Sequence, residues 1–176
     1  WTWEHQALVR ARAVAGDPAL AQRFEQVRHD ILVQPREVGA LRRDVIEMRR
    51  KMVDHLGSGG RAREAGRFDL KQDPGGIVDI EFMVQFAVLA QAHNYPRLTQ
   101  WSDNIRILAL LAECGILAEP VHRQLVEAYI AYRSVGHRLQ LQQAPSVVTG
   151  DEFADQRLAV QAAWRQLLGD GEELQA

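Results

Sequence analysis

The sequence predicts an all-α fold, a bundle of about six to seven helices, and three observations carry that prediction. Apolar residues recur at three- and four-residue spacing through most of the chain. Helix-ending and helix-starting residues, such as Gly16-Asp17-Pro18, Asn94-Tyr95-Pro96 and Gly115, fall between those periodic stretches. No stretch alternates apolar and polar residues convincingly with period two, although a short extended segment near 67–72 is admitted, and no repeat of about 20 to 50 residues is visible.

Taken in order, Trp3 to Ala15 reads as a first helix, rich in alanine and arginine, that ends at Gly16. Asp17 and Pro18 then supply an N-cap and a first-turn proline for a second helix, whose Leu20, Phe24, Val27 and Ile31 share one side. The third carries Val38, Leu41, Val45, Met48, Met52 and Leu56 on one stripe, with Arg43, Glu47 and Lys51 at i, i+4 intervals opposite. Gly57 to Gly66 is a glycine- and arginine-rich stretch too poor in apolar residues to order itself, and a mobile loop is expected over 57–67. A helix from Gly76 is apolar on most sides, as a central element should be. Trp101-Ser102-Asp103-Asn104 offers caps for a helix through Ile105, Leu108 and Leu111. Ala118 to Gln143 is a long helix ended by Pro145; a last one runs from about Asp151 to Leu168, and residues 169–176 are expected to fray. The expected division is therefore 1–56, helices leading from elsewhere, then the 57–67 loop, a 68–168 bundle and a 169–176 tail.

Composition narrows the function. With 176 residues, 47% hydrophobic and 25% charged, the chain has the content of a globular domain. Its 21 basic and 23 acidic residues leave a net charge of −2, so nothing attracts a nucleic-acid backbone in bulk, and no nucleic-acid partner is expected. The single cysteine, Cys114, has no partner for an internal disulfide, and no charged-then-apolar leader opens the sequence. The apolar run Ile77 to Ala90 is broken by Asp79, Glu81 and Gln85 and falls short of the roughly 20 residues that cross a bilayer. A cytoplasmic protein without a membrane partner is expected.

The chemistry is concentrated in Phe68-Asp69-Leu70-Lys71-Gln72-Asp73-Pro74-Gly75-Gly76-Ile77-Val78-Asp79-Ile80-Glu81-Phe82. Gly75 and Gly76 before a helix leave backbone N–H groups open to an anion such as a phosphate, and Lys71 adds a charge nearby. A plain turn and a solvated lysine are the alternatives. On a strand, Asp79 and Glu81 would share a face and hold magnesium; on a helix the same spacing turns them about 200° apart. Asp79 then serves the helix N-terminus or binds Lys71, while Glu81 and Gln85, four apart, either lock the bundle or line a cleft facing another domain. The six scattered histidines show no metal-site spacing.

Three stretches carry a resemblance. Trp3-Glu4-His5-Gln6-Ala7-Leu8 with Arg10 and Arg12, then Asp69-Leu70-Lys71 with Gly75 to Phe82, then Leu98-Thr99-Gln100-Trp101-Ser102-Asp103-Asn104-Ile105-Arg106-Ile107-Leu108 resemble the glutamine synthetase adenylyltransferase family, most closely the C-terminal, adenylylating half. The resemblance implies a nucleotidyltransferase that uses ATP and magnesium to move AMP onto a tyrosine of glutamine synthetase, with a second half that removes it by phosphorolysis. It implies control of nitrogen assimilation and regulation by the PII signal protein and glutamine.

In that family the catalytic domain carries a Gly-Ser shortly before a D-x-D pair that binds magnesium. Here Gly57-Ser58 lies much farther ahead of Asp79-Ile80-Glu81 and feeds a helix. No catalytic or metal-binding residue is therefore assigned, and the chain alone is expected to be inactive. Lys71, Gly75 and Gly76 are expected to meet nucleotide phosphate. Asp79, Glu81 and Gln85 are expected at the interface with the protein's own nucleotidyltransferase domain. The alternative is a non-catalytic module that docks glutamine synthetase or the PII protein.

Overall fold

A computed structural model describes residues 1–58, 66–149 and 151–169. Among them are seven α-helices: α1 (Thr2–Arg10), α2 (Pro18–Leu32), α3 (Val38–Leu56), α4 (Ile77–Gln91), α5 (Asn104–Glu113), α6 (Glu119–Leu141) and α7 (Ala154–Leu168). A 3-10 turn, Pro96–Thr99, precedes α5, and two short strands complete the set. The loop expected over 57–67 falls largely on 59–65, and the expected frayed tail lies beyond Gly169; both are outside the described residues.

The chain divides into two compact units. The first comprises Trp1–Val45 and Val84–Ala118. Its core is Val9, Leu32, Leu41 and Val45 with Phe86, Leu89, Leu98, Ile107, Leu108 and Leu111. Asp17 caps α2 as expected, its carboxylate accepting the N–H groups of Ala19 at 2.7 Å and Leu20 at 3.3 Å, and Asp103 caps α5 by accepting Arg106 N–H at 3.0 Å.

Two expectations for this unit are corrected. Helix α1 stops at Arg10 rather than Ala15: Ala11 turns extended with its N–H on Leu8 O at 3.2 Å, and the Arg28 guanidinium donates to Leu8 O at 3.0 Å and to Val9 O at 2.7 Å where further helical N–H groups would have done so. On α2 the apolar stripe is not the buried face: Leu20 and Val27 are exposed, and Arg28 and Leu32 are buried. Arg28 also donates to Thr99 O at 2.6 Å and Trp101 O at 3.2 Å, so its burial satisfies four carbonyls at once.

The second unit comprises Ile46–Met83 and Glu119–Ala176. Strand β1 (Arg67–Asp69) pairs antiparallel with β2 (Val147–Thr149) in the register Phe68 to Val148. The extended segment admitted near 67–72 is thus a strand over its first three residues and a turn after them. Its partner β2 was not expected, since three residues are too few to show alternation. Phe68 is fully buried and meets Tyr132 edge-on at 5.8 Å, and Tyr132 meets Phe153 at 5.3 Å. Leu125, Tyr129 and Tyr132 of α6 and Val160, Ala163 and Leu168 of α7 are buried at helical spacing, as their periodicity requires. Helix α7 begins at Ala154 rather than Asp151, after Phe153 in the left-handed conformation (φ 66°).

Candidate functional site

The segment 69–79 is a turn whose backbone and carboxylates satisfy one another. Asp69 accepts the N–H groups of Lys71 at 2.8 Å and Gln72 at 3.0 Å with one carboxylate oxygen, a local turn that its short side chain favours. Asp73 is fully buried, and its two oxygens accept Ser58 N–H and Asp69 N–H, both at 2.8 Å. Gly76 N–H donates to Asp73 O, Ile77 N–H to Leu70 O, and Val78 N–H to Lys71 O. Gly75 N–H donates to the Asp79 carboxylate at 2.6 Å.

The amides at the mouth of α4 therefore all have acceptors within the chain. The glycines have a steric reason to be there. A Cβ on Gly76 would lie 2.7 Å from Leu70 O, and one on Gly75, at φ +89°, would lie 2.9 Å from Arg157 O. Gln161 fixes the same turn from α7 by donating to Pro74 O at 3.1 Å.

Residues 77–83 are helical, and the carboxylates of Asp79 and Glu81 diverge. Asp79 is buried and accepts Arg49 Nε at 2.5 Å, while Glu81 accepts from the Tyr129 hydroxyl at 3.4 Å. Asp79 thus serves the helix N-terminus, as one reading of the sequence had it, but its cation is Arg49 and not Lys71. Burial pushes its carboxyl above the usual range, against the pull of Arg49 and of Gly75 N–H. Gln85 bonds Gln6 Nε2 at 3.1 Å inside the first unit, so Glu81 and Gln85, although four apart, have separate partners. No group of three or more His, Cys, Asp or Glu suited to a metal ion occurs among the described residues.

Beside the turn lies a cleft of about 300 Å³ whose walls include Lys71, Glu81, Arg133, His137, Gln140 and Ser146. Lys71 is exposed on its rim. Arg133 donates to the Tyr129 hydroxyl at 3.2 Å and sits over that ring at 5.6 Å from its centroid, which sets the guanidinium at the cleft. Three basic side chains facing one carboxylate suit a ligand carrying negative oxygens.

Sequence reasoning missed Arg49, Asp73 and Arg133. Arg49 had a legible signal, since it follows Val45 by four on the buried stripe of α3. Arg133 shares the face of Tyr129 in the same way, whereas nothing in the sequence marks Asp73 off from other turn aspartates.

Residues 46–146 match the family model described as GlnD PII-uridylyltransferase, and residues 1–27 match the one described as glutamate-ammonia ligase adenylyltransferase. Over 177 aligned residues, 95% of the chain, the sequence is 51% identical to a bifunctional glutamine synthetase adenylyltransferase/adenylyl-removing enzyme of Pseudomonas aeruginosa. The chain belongs to the glutamine synthetase adenylyltransferase family. A second relative of the same description, from Pseudomonas syringae pv. tomato, is also 51% identical over 95% of the chain. The chain spans 18% of the length of each of these adenylyltransferases. No described helix is long and apolar enough to cross a membrane.

Proposed function

We propose that this chain is the helical part of an adenylyltransferase that moves AMP from ATP to a tyrosine of glutamine synthetase, working with a nucleotidyltransferase domain of the same cytoplasmic protein. Identity of 51% to two proteins described as such enzymes, over 95% of the chain, supports this reading. Residues 1–56 lead from that domain and 68–168 form the bundle. Phosphoryl-type transfer of this kind depends on metal ions and positioning. Asp79, held by Arg49, and Glu81, held by Tyr129, do not fit a shared magnesium ion, so magnesium belongs to the other domain and the chain alone does not turn over.

Its own contribution is the cationic cleft. Lys71, joined by Arg133 and His137, meets nucleotide phosphate, and Gly75 and Gly76 hold the turn that presents Lys71. Glu81 faces the catalytic domain across the cleft, with Asp79 and Gln85 fixing the helix that carries it. In the complete enzyme, Lys71→Ala and Arg133→Ala are expected to raise the KM for ATP roughly tenfold each, the loss of one charge-assisted contact. Unchanged KM and kcat in both variants would remove the cleft from the nucleotide site.

A second reading is favoured by the match of residues 46–146 to a model described as a PII-uridylyltransferase. In it the bundle docks the PII protein or glutamine synthetase and touches no nucleotide. Calorimetric titration of the chain with each protein and with ATP separates the two: protein binding with silent ATP, alongside unaffected KM values in the variants above, selects docking.

A further inference from the structure

A second cavity in the same unit, of about 370 Å³, has no part in the adenylyl-transfer reading. Its walls are Ile46, Val53, Pro74 and Trp164 on the apolar side, and Arg49, Arg50 and Arg165 among the polar ones. The guanidinium of Arg49 is almost fully buried: Nε donates to Asp79 and Nη2 to Gln72 O at 2.9 Å, while Nη1 has no acceptor. A buried donor without an acceptor is costly, and a ligand bearing an acceptor oxygen relieves that cost. Both Asp79 oxygens are already taken, by Arg49 and by Gly75 N–H. Arg50 and Arg165, both exposed at this cavity, face only Asp54 as a further carboxylate in its lining. The lining therefore carries a surplus positive charge. A cation is disfavoured there, and a neutral apolar molecule leaves Nη1 unsatisfied. The cavity exceeds the space of a single water, and the indole of Trp164 offers a flat apolar wall.

We infer that this cavity binds a small organic carboxylate with a planar apolar body, its oxygens held by Arg49, Arg50 and Arg165 and its body lying against Trp164. Such a site combines apolar walls with a few convergent donors, the usual composition of a small-ligand pocket. The test is fluorine NMR on the complete protein labelled with 5-fluorotryptophan, the Trp164 resonance being assigned by Trp164→Phe. Benzoate is titrated as the probe, with benzamide as its uncharged counterpart and inorganic phosphate as an anion without a planar body.

A saturable shift of the Trp164 resonance with benzoate in the millimolar range, absent with benzamide and with phosphate, is the expected result. The apparent affinity should fall roughly tenfold in the doubly substituted Arg50→Gln/Arg165→Gln protein, whose changes are at exposed positions and leave the Arg49–Asp79 pair intact. Arg49→Lys, which keeps a charge for Asp79 and removes Nη1, should lose the response as well. No shift at millimolar benzoate means that water alone fills the cavity. Equal shifts with benzamide, whose carbonyl also offers Nη1 an acceptor, mean that the site does not select a carboxylate, and equal shifts with phosphate mean a diffuse ionic response. Each of these overturns the inference.

Discussion

Among the described residues each unit buries one arginine, and the two solve the same problem in opposite ways. Arg28, in the first unit, is 2% exposed and surrounds itself with the carbonyls of Leu8, Val9, Thr99 and Trp101, with a carboxylate contact to the half-exposed Glu25 at 3.5 Å. Arg49, in the second, is 3% exposed and takes a buried carboxylate, Asp79, at 2.5 Å together with Gln72 O. Carbonyl dipoles from several segments disperse a charge that is always present, since arginine does not release its proton in a protein. A single buried ion pair neutralises it with one residue. The first arrangement ties down backbone ends; the second ties a helix to a turn beside two cavities.

The difference is open to breaking. The largest effect is expected from Arg28→Met, which takes a donor from four carbonyls and leaves only Leu8 O with another, the Ala11 N–H, a loss of about 3–5 kcal/mol in urea unfolding. Asp79→Leu should cost nearly as much, by leaving the Arg49 guanidinium buried and unpaired. Adding Arg49→Met to Asp79→Leu should return most of it, to within about 2 kcal/mol of the unsubstituted chain, because both charges are then gone and only Gln72 O and Gly75 N–H lose partners. A double variant as unstable as Asp79→Leu alone would show that the two arginines are alike after all.

The close approach that the second unit demands can be tested with its glycines. Gly76→Ala forces a Cβ against Leu70 O and should destabilise by about 1–3 kcal/mol. Gly136→Ala, in the middle of α6 with nothing near the added methyl group, should stabilise by up to about 1 kcal/mol. Thermal unfolding of the two variants should move in opposite directions.

The smallest effect concerns pH. His5, in the first unit, titrates below its ordinary 6.5 because of partial burial, with the Arg36 guanidinium adding to the shift. Its contribution to stability is complete above 6.5 and is lost as pH falls toward the folded value, because the unfolded chain takes up the proton first. Asp79 has the opposite sign: its raised pKa favours the folded state at low pH, and that contribution is lost as pH rises through the folded value. His5→Asn should therefore flatten the decline measured by unfolding as pH falls below about 6.5, and Asp79→Asn should leave that decline in place.

Much of the architecture was legible beforehand. Helices α2, α3 and α5 start and stop close to where their caps and periodicity put them, because capping and amphipathicity are local properties. The divergence of Asp79 and Glu81 followed from helical spacing alone. The early end of α1 was not legible, since it depends on a guanidinium about twenty residues away in the chain reaching Leu8 and Val9. Nor was the exposure of Leu20 and Val27, because an apolar stripe says which residues share a face and not whether another element covers it.

The candidate site divides along the same line. Lys71, Gly75, Gly76, Asp79 and Glu81 stand out as a motif, and their spacing alone puts them at the mouth of one helix. Tertiary structure alone decided that Asp79 belongs to Arg49, that the glycine amides answer to acceptors of their own chain, and that Lys71 shares a cleft with Arg133 and His137. The physical reason is range. Helix propensity, capping and periodicity act within a turn or two, whereas the partner of a buried charge is whichever group packing brings near when water is excluded.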